Sequence, residues 1–135
     1  MSAVEEQVGV RLPDDYRVFL LEVGAGGAGP GYGIFLLARA DGWGWDGDGA
    51  TLTGDLATPF PHANEWNVTF EEWDEEAEAE DAYWARRDVW NDDVYWHPKQ
   101  TTGAICICHE GCALRDWLVV TGPQRGMMWS DQRAD

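Results

Sequence analysis

The hydrophobic pattern changes period along this chain, and that change restricts the fold more than any other feature. Tyr16, Phe19, Leu20 and Val23 follow the i, i+3, i+4, i+7 spacing of one helical face. Pro13 suits a first helical position, Asp14 and Asp15 complement the helix dipole, and Gly24 supplies a stop, so the spacing predicts a helix here. A shorter helix is predicted before it. There Ser2 and Glu5 fit the S-x-x-E capping box, Val4 and Val8 lie one turn apart, and Gly9 ends the run. Phe70, Trp73, Ala77 and Trp84 share one helical face and predict a third helix over 71–87, ending before Asn91. After Gly103 the period shortens. Runs at 104–108, 117–121 and 127–129 read as strands, with Gly122-Pro123-Gln124-Arg125-Gly126 as a turn between the last two. Their short connections predict an antiparallel meander. Residues 34–38 read as a buried strand between two glycine-rich loops, 24–33 and 41–49, the second carrying Trp43 and Trp45. Residues 58–67, with Pro59 and Pro61, read as irregular. Helices, a strand, a helix and then a run of strands predict an α+β fold rather than a βαβ alternation.

Length and apolar content fit a single domain over 1–135. The chain has 135 residues, 44% of them hydrophobic, enough to bury a core. The longest apolar runs fall far short of the ~20 residues of a membrane helix. The N-terminus has acids where a signal peptide has bases. Three cysteines cannot all pair within one chain, so they read as reduced thiols, and the expected location is the cytoplasm.

Charge narrows the partners. Twenty-five acids against nine bases give a net charge of -16, a field that repels nucleic acid and anionic membranes and attracts basic proteins. Nine tryptophans accompany it, and tryptophan is among the residues that dominate protein interfaces. Glu71, Glu72, Asp74, Glu75, Glu76, Glu78, Glu80 and Asp81 place eight acids within eleven residues. Unpaired carboxylates are costly to bury, so this face is expected in solvent. Continued by Asp88, Asp92 and Asp93, it forms a candidate surface for steering a basic protein, with Trp66, Trp90 and Trp96 as exposed anchors. Trp73 and Trp84 are expected to pack on the sheet. The competing reading is an acidic surface that serves solubility alone, with tryptophans in the core.

Other motifs carry less. Gly24, Gly26 and Gly29 spell G-x-G-x-x-G, but the predicted order is helix then strand, the reverse of a dinucleotide fingerprint. Asp46-Gly47-Asp48-Gly49 resembles the start of an EF-hand loop, yet Thr51 and Ala57 stand where that loop needs glycine and glutamate. Cys106, Cys108, His109 and Cys112 offer four zinc-type ligands within seven residues. Against zinc, no second knuckle exists, and the period-two spacing turns Cys106 and Cys108 to one face, inward as small hydrophobes. No metal or cofactor is therefore expected. His62, His97 and His109 lie in no nucleophile motif, and no carboxylate pair stands out as general acid and base, so no catalytic residue is expected.

Leu12-Pro13-Asp14-Asp15-Tyr16-Arg17-Val18-Phe19-Leu20-Leu21-Glu22, followed by the glycine-rich 24–33, resembles the opening of the SUKH superfamily of Smi/Knr-type domains. Pro59-Phe60-Pro61-His62 with Trp66-Asn67, Ile107-Cys108-His109-Glu110-Gly111-Cys112, and Trp117-Leu118-Val119-Val120-Thr121-Gly122-Pro123 with Gly126 to Trp129 resemble later blocks of bacterial members. The resemblance is patchy between Glu71 and Gln100. It implies helices packed on a twisted, mainly antiparallel sheet, no enzymatic activity, and a place among bacterial immunity proteins that neutralise polymorphic toxins, frequently basic nucleases. Bacterial members usually continue past the position of Asp135 with a helical segment. That layer is expected to be absent, cut off, or replaced by self-association as a homodimer. The resemblance transfers no residue-level binding site. The rival function is a general interaction scaffold or regulator without a toxin.

Overall fold

The computed structural model describes residues 1–39, 41–47, 49–73 and 80–133, the side chains of Glu80 and Asp81 excepted. It is an α+β fold. Helix α1, Ser2–Val8, ends where Gly9 adopts a left-handed φ of 73° and its N–H bonds to the Glu5 carbonyl. The predicted capping box does not form. Met1 is the N-cap and makes no side-chain cap bond. Glu5 instead accepts from the Leu12 N–H at 3.0 Å and pairs with Arg17 at 2.9 Å, tying α1 to the next helix. Two donors in a half-buried site outcompete a frayed terminal turn.

Helix α2, Asp14–Val18, starts after Pro13 and continues as a π-turn over Phe19–Val23 before stopping at Gly24. The predicted face is kept only at first. Tyr16 is buried and Phe19 half-buried, but Val23 is 74% exposed. The wider i→i+5 turn rotates later residues off the 3.6-residue phase.

The strand predicted at 34–38 is displaced, and the loop predicted at 41–49 supplies its partner. Strand β1, Leu37–Arg39, pairs antiparallel with β2, Trp43–Trp45. Tertiary bonds hold this glycine-rich hairpin. The Gln7 carboxamide accepts from the Trp43 N–H and donates to its carbonyl, both at 2.7 Å, and the Trp45 indole donates to Tyr16 Oη at 2.6 Å. Ile34 and Phe35 run along the main sheet instead: Ile34 bridges Cys108, and the Phe35 N–H bonds to the Ile107 carbonyl at 2.7 Å.

Helix α3, Phe70–Trp73, and helix α4, Glu80–Trp90, occupy the region of the predicted third helix, and a π-turn at Asn91–Tyr95 carries it further than expected. The meander is present: β3, Ala104–Gly111, pairs with β4, Leu114–Val119, which pairs with β5, Met128–Asp131. Both faces of this sheet are covered. Ile105, Leu118 and Val120 pack with Val4, Leu12 and Tyr16 of the helical layer, while Ala104, Cys106, Trp117 and Val119 pack with Phe60 on the other side. Each fully buried large apolar side chain there contributes roughly 1.5–3 kcal/mol.

One register shift overturns a sequence expectation. Cys106 pairs with Trp117 and Cys108 with Asp116, so Ile107 is an extra residue, a β-bulge. The bulge resets the alternation of side chains, and Cys108 turns to the face opposite Cys106. Both thiols are buried, as expected, but not on one face.

Candidate protein-binding surface

The acidic segment begins at a capping box. The Thr69 hydroxyl accepts from the Glu72 N–H at 3.3 Å, and the Glu72 carboxylate accepts from the Thr69 N–H at 2.8 Å. This T-x-x-E pattern was legible in the sequence and places the helix start at Phe70 rather than Glu71. Phe70 is buried and makes edge contacts with Tyr83 at 5.0 Å and Trp90 at 5.9 Å. Glu71 and Glu72 lie exposed beside it. Glu71 accepts from the Tyr83 hydroxyl at 3.1 Å. Its own backbone N–H and that hydroxyl hold its carboxyl below the ordinary value, so it stays charged. Asp74, Glu75, Glu76 and Glu78 lie outside the described residues. Glu80 and Asp81 open α4, and Asp88, Asp92 and Asp93 are exposed further along. Residues 65–93 hold 12 of the chain's 25 acids, against Arg86 and Arg87 alone among the bases.

The tryptophans divide differently from expectation. Trp90 is only 6% exposed, so it is not an exposed anchor, whereas Trp73 and Trp84 are 41% and 54% exposed. The buried stripe of α4 runs through Tyr83, Arg87 and Trp90. Trp84 stands one residue, about 100°, out of phase with that stripe. The predicted face assumed a single helical phase from Phe70 to Trp84. Arg87 lies over the Trp84 ring at 5.7 Å and holds that indole on the surface.

Trp66 and Trp96 are half-buried and belong to an aromatic chain that links α4 to the sheet. Trp90 stacks on Tyr95 at 4.6 Å, and Tyr95 contacts Trp66 at 6.2 Å and Trp96 at 5.0 Å. Arg133 closes the chain. It lies 5.0 Å over Trp96, donates to the Tyr95 carbonyl, and grips Asp131 with two bonds of 2.8 and 2.6 Å. Burial alone would raise the Asp131 carboxyl, but Arg133 and the Trp117 indole more than offset it and hold it low. His62 packs between Phe60, Trp66 and Trp129, and burial pushes its imidazole below the usual range. These contacts make a rigid platform behind exposed acids and two exposed indoles. Such an arrangement can attract a cation at long range and pack against it at short range.

The four zinc-type residues are not brought together. Cys106 faces the Phe60 side, Cys108 lies across from Asp116, His109 contacts the Tyr32 ring in a tilted arrangement at 5.7 Å, and Cys112 is exposed in the β3–β4 turn. Among the described residues, the group of ligand atoms that does converge is Cys108, Glu110 and Asp116. Sequence reading missed it because the bulge and strand pairing, not spacing, create it. The other histidine, His97, accepts from the Lys99 N–H at 3.0 Å and caps a 3₁₀ turn.

No helix among the described residues is long and apolar enough to cross a membrane. A family model described as SMI1 / KNR4 family (SUKH-1) matches residues 1–116, from α1 into β4. No curated protein and no solved structure matches the chain.

Proposed function

Because the chain belongs to the SMI1 / KNR4 family (SUKH-1), which includes immunity proteins, we propose that it is a non-enzymatic immunity protein that sequesters a basic, nuclease-type toxin in the cytoplasm of a bacterium. The observation that carries this reading is the crowding of 12 of 25 acids into residues 65–93, beside the exposed indoles of Trp73 and Trp84. Nuclease toxins tend to be basic because they engage phosphate, so an acidic surface complements the face that such a nuclease must keep open. Glu71, Glu72 and their neighbours supply attraction at a distance. Trp84 and Trp73 exclude water once contact is made, with Trp66 and Trp96 stiffening the platform behind them.

The test is a search for a toxin gene beside this one, followed by co-expression of the two. The reading expects rescued growth, a complex that survives size-exclusion chromatography, and loss of rescue when Glu71, Glu72 and Trp84 are replaced together by Gln, Gln and Ala in a chain that still folds. A neighbouring toxin that kills regardless of this protein, or a rescue untouched by the triple variant, overturns it.

A further inference from the structure

The β3–β4 hairpin gathers a different set of groups. The Cys108 thiol and the carboxylates of Glu110 and Asp116 have ligand atoms all within 4.8 Å of one another. Strand pairing sets Cys108 directly across from Asp116, and Glu110 follows two residues along β3. A third segment closes over them. The Pro30 carbonyl oxygen lies 3.1 Å from Cys108 Sγ. The loop is held there by the Tyr32 N–H bonding to the His109 carbonyl at 2.9 Å. Gly31 makes that approach feasible: a Cβ on it would lie 2.5 Å from the His109 carbonyl oxygen and 2.9 Å from the Glu110 carboxylate.

We infer that Cys108, Glu110 and Asp116, with the Pro30 carbonyl beside them, form a binding site for a divalent transition-metal ion of the zinc class. One sulfur and two carboxylate oxygens on two paired strands supply three of the four donors such an ion takes, and water can fill the fourth position. The thiolate selects a borderline-soft ion over calcium or magnesium, which take oxygen alone. Cys108 is 3% exposed, so it is shielded while Glu110, which is exposed, leaves an entry path. Among the described residues neither carboxylate forms an ion pair with a basic side chain. Metal binding ties β3 to β4 at the Cys108–Asp116 register.

The experiment is titration of the chelator-treated full chain with Co²⁺, then Zn²⁺. The expected result is one equivalent of Co²⁺ with a near-ultraviolet thiolate-to-cobalt charge-transfer band, displaced by Zn²⁺. Cys108→Ser should abolish the band. Glu110→Gln and Asp116→Asn should each weaken binding by about tenfold or more, and Cys112→Ser should change nothing. Circular dichroism establishes that each variant is folded, and the two carboxylate variants decide the matter if Cys108→Ser is not. Absence of saturable binding, a band that follows Cys112, or affinity unchanged in both carboxylate variants would overturn the assignment.

Discussion

Trp84 and Trp90 lie on one helix and meet opposite surroundings. Trp90 is buried against Phe70 and Tyr95, and its indole N–H has no hydrogen-bond partner among the described residues, so its role is volume. Trp90→Ala should cost about 3–5 kcal/mol in urea unfolding. Trp84→Ala should shift the same measurement by no more than about 0.5 kcal/mol while weakening partner binding by at least about 1 kcal/mol. The reverse ordering would mean that the surface assignment of Trp84 is mistaken. Asp131 gives a residue-scale pH test. Arg133 holds its carboxyl low in the folded chain, so its contribution is whole above the unfolded value of about 3.9 and is lost as pH falls from there through the folded one. Asp131→Asn should cost about 1–3 kcal/mol at neutral pH and flatten that part of the acid-unfolding curve. A variant that loses stability in step with the parent below pH about 4 would show the pair to be inert.

Among the elements, the β3–β4 hairpin has the turn that is easiest to improve. Its two turn residues, Cys112 and Ala113, have φ of 51° and 62°, the left-handed pair of a type I′ turn that favours Asn-Gly. Replacing them with Asn and Gly should raise stability by about 1 kcal/mol, read as a melting point higher by a few degrees. No rise would show that the turn is not under strain. Gly-Cys-Ala-Leu carries no such turn signal, which is why β3 and β4 were expected to be shorter than they are. Elements with a long local pattern were legible: α2 from Pro13 to Gly24, and the meander from Ala104 onward. Those held by distant partners were not. The β1–β2 hairpin depends on Gln7 and Tyr16, about thirty residues upstream, and the bulge at Ile107 has no local marker.

At the scale of the whole molecule, the net charge of -16 and its concentration in residues 65–93 act before any contact is made. Association with a basic partner should therefore slow steeply as salt rises from about 0.05 to 0.5 M, because the screening length falls below about 10 Å beyond 0.1 M. In stopped flow, Glu71→Gln with Glu72→Gln should lower the association rate and leave dissociation nearly unchanged, and Trp84→Ala should do the opposite. An association rate indifferent to salt would remove the case for steering. Composition and periodicity by themselves determined the α+β class, the acid-rich segment and its need for solvent, since these depend on charge density and on neighbours a few residues apart. Only the tertiary structure decided which indoles face outward, which face each buried thiol takes, and that Cys108, Glu110 and Asp116 meet. The reason is physical: one π-turn or one bulge rotates every later side chain, and the contacts that stabilise such an irregularity come from residues far away in the chain.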